Sequence, residues 1–242
     1  MMERWAVQLP LTHGCSPRST RWPALQQWYE AMEAMPAYSQ TVKGDAYSWA
    51  SLVGTFQRMF ANANATANGT ATAAELAAAA EREAKSKAAI LASDRAAAAE
   101  LKRVRETSLD ERPREARVAA ARALISNRAA VLADTTSTEP KTQTNLRRAD
   151  EEDERIVDAV LRETARRLLA VPADDTYGLD GSGYADQPGD AVAAAAAARY
   201  VARRVCVPRD MGEPAAEALR GVLLEVAAEC ESYAWSASGG LL

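Results

Sequence analysis

An all-α fold is what this sequence predicts, and three observations carry the prediction. Alanine dominates a hydrophobic fraction of 48%, while aromatic residues reach only 6%. Apolar residues recur at helical spacing in several segments, and no alternating run of useful length occurs. Glycine, proline, threonine and aspartate gather between those segments, where turns and loops need them. Alanine enters a helix without losing side-chain entropy but buries little surface, so helices should form readily around thin cores.

The first block, 1–60, holds most of the large side chains, among them Trp5, Trp22, Trp28 and Trp49. Pro23 suits the first turn of a helix, and Leu25, Trp28, Tyr29 and Met32 follow at helical spacing. Pro36 should end that helix, because proline disfavours the helical conformation in the residue before it. A second helix is expected from Tyr47 to Phe60, with Leu52, Val53, Phe56, Met59 and Phe60 on one face. Residues 61–72 are small, polar and without period, and read as a linker.

Thr72-Ala-Ala-Glu75 has the form of a capping box, so a long helix should follow to about Thr107. Its stripe of Leu76, Ile90, Leu91, Leu101 and Val104 is thin, which predicts a largely exposed helix or one that needs a partner. Glu81 with Lys85 and Glu83 with Lys87 support it at the four-residue spacing. Pro113 should open the next helix, whose Val118, Ala121, Leu124, Ile125, Val131 and Leu132 suit antiparallel packing on its predecessor. The span 73–133 therefore reads as an alanine-rich helical hairpin.

A threonine-rich linker, 134–149, comes next, and 150–242 forms a C-terminal helical region. Its clearest amphipathic helix covers 150–169, with Ile156, Val157, Val160, Leu161, Thr164, Leu168 and Leu169 on one face and an acidic start. A glycine- and aspartate-rich loop over 171–190 precedes a last pair of helices, 191–205 and 213–232. The turn between that pair is Val207-Pro-Arg-Asp-Met-Gly212.

Basic and acidic residues number 29 and 33, a formal net charge of −4, which argues against a nucleic-acid partner. Arginines cluster at Arg162, Arg166 and Arg167 and at Arg199, Arg203 and Arg204, and read as solvated helix faces. Three cysteines, Cys15, Cys206 and Cys230, with the single histidine His13, fit neither a structural zinc site nor a disulfide scaffold. Asn64 and Asn68 stand in glycosylation triplets, but no signal peptide precedes them, so a cytoplasmic protein is expected. Arg4, Arg18 and Arg21 among serines leave an organellar address open. No apolar run approaches the roughly 20 residues that span a bilayer, and no membrane partner is expected.

Residues Trp22 to Tyr38 (WPALQQWYEAMEAMPAY) resemble a helix near the end of the C-terminal domain of glutathione transferases, with Trp28, Met32, Pro36 and Tyr38 on matching positions. Met35 stands where that family commonly has arginine. Tyr200 to Leu219, around Val207-Pro-Arg-Asp-Met211, is similar to a C-terminal extension of some transferase-like proteins. The resemblance implies a helical bundle of the transferase C-terminal type over the first block. It also implies glutathione as co-substrate of the complete family, bound mainly by a thioredoxin-like N-terminal domain. Only 21 residues precede Trp22, so that domain is expected to be absent here, and no catalytic residue carries over.

Other constellations point the same way. His13 and Cys15 lack an orienting third group for thiol chemistry. Gly178-Leu-Asp-Gly-Ser-Gly183 lacks the strand and helix that would aim its amides at a phosphate. Asp174, Asp175, Asp180, Asp186 and Asp190 lack the spacing of a calcium loop. Asp210 is expected to cap the last helix, with Pro214 just inside it and Arg209 anchoring the preceding carbonyls. Two functions follow as expectations: a truncated or non-catalytic transferase-like protein whose helices form a substrate-side wall or interaction surface, or a non-enzymatic helical scaffold. In both, helices offer a surface for a protein partner or for dimerisation, with no metal and no cofactor in the chain.

Overall fold

A computed structural model describes residues 6, 8–10, 13, 15–41, 43–65, 73–136, 151–170, 188–207 and 209–237. All regular structure among them is helical, and the expected all-α class holds. The helices are α1 (Pro23–Glu33), α2 (Pro36–Thr41), α3 (Ala46–Ala65), α4 (Ala73–Glu106), α5 (Arg114–Ser126), α6 (Arg128–Thr135), α7 (Glu151–Leu168), α8 (Pro188–Arg204) and α9 (Glu213–Ala237). A short 3-10 turn, Leu109–Glu111, precedes α5. The chain forms two compact units, Met1–Arg103 with Cys206–Pro208, and Val104–Val205 with Arg209–Leu242.

In the first unit, Pro23 opens α1 and Tyr29 is its buried residue. The Arg18 guanidinium lies 4.2 Å from the centroid of the Tyr29 ring, and its Nη1 pairs with Glu33 at 2.6 Å. Pro36 does end the first helix and at once opens α2, which buries Tyr38. Gly44 then takes a φ of +71°, and the Trp49 indole N–H donates to the Lys43 carbonyl at 2.7 Å. Buried Asp45 starts α3 by accepting the Ser48 amide at 2.9 Å. Ser48 in turn accepts the Val207 amide at 3.0 Å, so its hydroxyl links the start of α3 to the short segment 206–208.

A Cβ on Gly44 would lie 2.5 Å from the Trp49 ring nitrogen. Gly44→Ala therefore combines left-handed backbone strain with a clash, and should cost about 2 kcal/mol or more. Chemical denaturation followed by Trp fluorescence checks this; a loss below about 0.5 kcal/mol, the surface-substitution range, would show that the turn re-forms without the left-handed residue.

Helix α4 packs on α3 through small residues. Ser93 donates to the Ala50 carbonyl, Ser86 donates to Gln57 at 3.2 Å, and Arg58 meets Asp94 at 2.6 Å. Contacts that pair 50 with 93 and 57 with 86 run in opposite directions, which makes this an antiparallel pair. Gly54 sits beneath Ser93, where a Cβ would come within 2.8 Å of its hydroxyl, and Ala89 is buried in the same seam. The span 73–133, expected as one hairpin, crosses the division between units: α4 up to Arg103 belongs to the first, where it pairs with α3, and α5 belongs to the second, where it packs on α7 and α9. A seam of Gly, Ala and Ser gives α3 and α4 close backbone approach without large apolar residues.

In the second unit α9 is the central helix, in contact with α5, α7 and α8. Leu219, Val222, Leu223 and Val226 of α9 are buried, as are Ile156, Val157, Val160, Leu161 and Leu168 of α7. The expected apolar face of α7 is therefore the buried one, except for Leu169 beyond its end, which is exposed. The alanine run of α8 is a packing surface: Ala191, Ala194, Ala195, Ala197, Ala198 and Ala202 are all buried. Asn127 breaks the helix expected to continue through Val131–Leu132 by turning its amide onto the Ala123 carbonyl at 2.9 Å. Buried Arg112 donates to the Val104 carbonyl at 2.7 Å, and Gly221 of α9 leaves room for its guanidinium, 3.2 Å from where a Cβ would sit.

Helix α3 extends to Ala65 and α6 to Thr135, so the expected linkers 61–72 and 134–149 begin helical; residues 66–72 and 137–149 lie outside the described ones. Thr72, the triplets beyond Asn64, the loop Gly178 to Gly183, and Asp174, Asp175, Asp180 and Asp186 also lie outside. Among the described residues no helix is long and apolar enough to cross a membrane.

Candidate functional site

The break at Asn127, the last turn of α8 and the chain leading into α9 leave a cavity of about 320 Å³ in the second unit. Its apolar wall comes from Leu124, Val131, Val201, Met211 and Leu219. Its polar edge holds Asp134, Tyr200, Arg204, Arg209 and Asp210. Tyr200 and Arg204 stand four residues apart on α8 and so share a face, while Asp134 arrives from the last turn of α6.

The Tyr200 hydroxyl donates to Asp134 Oδ2 at 3.0 Å. Arg204 reaches the same carboxylate through Nε at 3.2 Å and Nη2 at 3.3 Å. Arg209 and Asp210 form a second fork, Nε to Oδ1 at 2.7 Å and Nη2 to Oδ2 at 2.9 Å. Arg209 also donates to the Arg204 carbonyl at 3.3 Å, the anchoring of preceding carbonyls expected of it. Asp210 stands three residues before α9 begins at Glu213. Burial, and then the neighbouring Asp134 carboxylate, push the Tyr200 pKa up, so the phenol keeps its proton.

The arginine clusters are not simply a solvated face. Arg162 pairs with Asp158 at 2.8 Å, and Arg128 of α6 meets the same carboxylate. Arg166 and Arg167 both hold buried Glu163 at 2.6 Å, and Arg167 continues to Glu229 of α9 at 2.6 Å. Arg199 forks onto Glu231 at 2.8 and 2.6 Å. These pairs tie α7 to α6 and to α9, and α8 to α9. A second, apolar groove, lined by Leu124, Ile125, Leu161, Ala165 and Leu169, opens beside Arg128, Arg162 and Arg166.

All three cysteines are free of disulfides. Cys230 is buried in α9, and burial pushes its pKa up to about 11, which keeps it a thiol. Cys15 and Cys206 are half-buried, and His13 is exposed. Among the described residues no three His, Cys, Asp or Glu side chains converge as a metal would require. Sequence reasoning singled out Arg209, Asp210 and the stretch 200–219, which supplies much of the cavity wall. It missed Asp134, which lies 66 positions from Tyr200 and joins it only through folding. The four-residue spacing of Tyr200 and Arg204 was the one local signal available.

Compared with known proteins, the chain matches no family model, no curated protein and no solved structure.

Proposed function

We propose that this protein is a helical binding module whose C-terminal unit takes a small ligand in the cavity beside Tyr200. The observation that carries this reading is the cavity itself: apolar walls with two aspartate–arginine forks among the lining groups, the usual make-up of a ligand site. The polar groups there are suited to holding a ligand rather than attacking one. Asp134 is occupied by three donors, and Tyr200 keeps its proton.

A titration with the neutral fluorophore aminoanthracene tests the reading. Its emission should rise saturably, and Ala130→Trp, which places a large side chain at an exposed position of the cavity wall, should abolish the rise while leaving the melting temperature unchanged. A linear, non-saturating response that is identical in both proteins would sink it.

A transferase-like reading stands second, and one feature favours it. Within the stretch that resembles the transferase helix, Pro36 breaks the helix and Tyr38 is buried. Trp28, at another matching position, is 36% exposed, which suits an interaction surface better than a core. On this reading the helices form a substrate-side wall or a dimerising surface, with glutathione as the family's co-substrate. Calorimetric titration with millimolar glutathione separates the two: saturable heat supports the transferase-like reading, and its absence leaves the helices as a binding module or scaffold.

A further inference from the structure

We infer that the cavity beside Tyr200 selects an uncharged ligand, an apolar ring or short chain that carries one hydroxyl or amide head. The inference rests on the reading of this cavity as a ligand site, and charge balance carries it. Among the described residues, two carboxylates, Asp134 and Asp210, and two guanidinium groups, Arg204 and Arg209, line the cavity, and each carboxylate lies within 3.3 Å of its own guanidinium. At these distances the opposite charges of each fork largely offset one another.

An entering carboxylate would meet the Asp134 and Asp210 oxygens as closely as it meets the arginines. An entering ammonium group would meet the arginines as closely as the aspartates. Either ion would give up hydration against Leu124, Val131, Val201 and Leu219 without a compensating field. An uncharged head gives up far less, and the apolar walls then favour its body.

A partner for that head is in place. The Tyr200 hydroxyl spends its proton on Asp134, and its oxygen retains acceptor capacity. A hydroxyl or amide N–H on the ligand can donate there while the rest lies along Val131 and Val201. The Arg204 guanidinium, 5.9 Å from the Tyr200 ring centroid, backs the ring from the solvent side.

Three ligands of one shape decide the matter: naphthalenemethanol, naphthoate and naphthylmethylammonium, each titrated calorimetrically into the full chain. The alcohol should bind at least about tenfold more tightly than either ion. Asp134→Asn leaves Arg204 unbalanced and should turn the preference toward naphthoate. Arg204→Gln leaves Asp134 unbalanced and should turn it toward the ammonium ligand. Opposite shifts from two substitutions at one contact cannot come from partial unfolding, which would weaken all three ligands together. Equal affinities in the unaltered protein, or a preference for one ion, would overturn the inference while the cavity remained a ligand site. Failure of all three to bind, or binding untouched by Ala130→Trp, would remove the cavity reading as well.

Discussion

Arg220→Ala should lower the stability of the C-terminal unit by about 3–5 kcal/mol, through a lost hydrogen bond and a cavity at the centre of the bundle. Arg220 is fully buried, the largest such side chain among the described residues. Its Nη2 donates to the Val205 carbonyl at 2.7 Å, just past the end of α8. The last carbonyls of a helix have no intrahelical donor and carry the negative end of its dipole, so a cation there is doubly favourable. Removing the side chain leaves the carbonyl buried without this donor. Arg220→Met separates the two causes, because it keeps much of the volume and none of the donors. Urea unfolding followed by circular dichroism should place Met between alanine and the native residue. If Met recovers the whole loss, packing alone accounts for Arg220 and the Val205 bond contributes nothing net.

The second large effect lies at Glu163, and it depends on pH. The side chain is 1% exposed and accepts from Arg166 and Arg167, and Arg167 carries the link on to Glu229 of α9. Glu163→Ala leaves those guanidinium groups without their carboxylate and should cost about 3 kcal/mol near neutrality. Burial by itself would raise the Glu163 pKa, but the hydrogen bonds and charges of Arg166 and Arg167 outweigh it and hold the group below the ordinary value of 4.5. A carboxylate with a depressed folded pKa contributes stability that is full above its unfolded pKa. That contribution is lost as pH falls through the folded value.

Asp158 acts in the same direction, lowered first by its hydrogen bond to Arg128. Glu225 acts in the other, because burial raises its pKa; its cost to the fold is present above that raised value and is relieved as pH falls. Melting temperature measured from neutrality down to about pH 3 should therefore show the gap between the native protein and Glu163→Gln closing below the ordinary carboxylate range. A gap that stays constant with pH would mean that shape, not charge, makes Glu163 matter.

Much of the helical layout was legible because it is written locally. Pro23 and Pro113 mark helix starts, Pro36 marks a helix end, the α7 stripe marks its buried face, and alanine content favours helix throughout the chain. Small residues were harder to read. Gly54, Ala89 and Ser93 look featureless in the sequence, yet they form the seam that joins α3 to α4. The alanines of α8 look like a weak apolar run and are instead a buried face against α9.

The candidate site was half visible. Arg209 and Asp210 drew notice as neighbours in a turn, whereas Asp134 gave no local sign of its role. By itself, then, the sequence determined that the chain is helical, where most helices begin, and which face of α7 is buried, because propensity and periodicity act over one or two turns. Tertiary structure alone decided which helix pairs with which, that the arginines tie helices together, and that Asp134 meets Tyr200. Those outcomes depend on close approach and charge pairing between residues far apart in the chain, and such distances have no period to betray them.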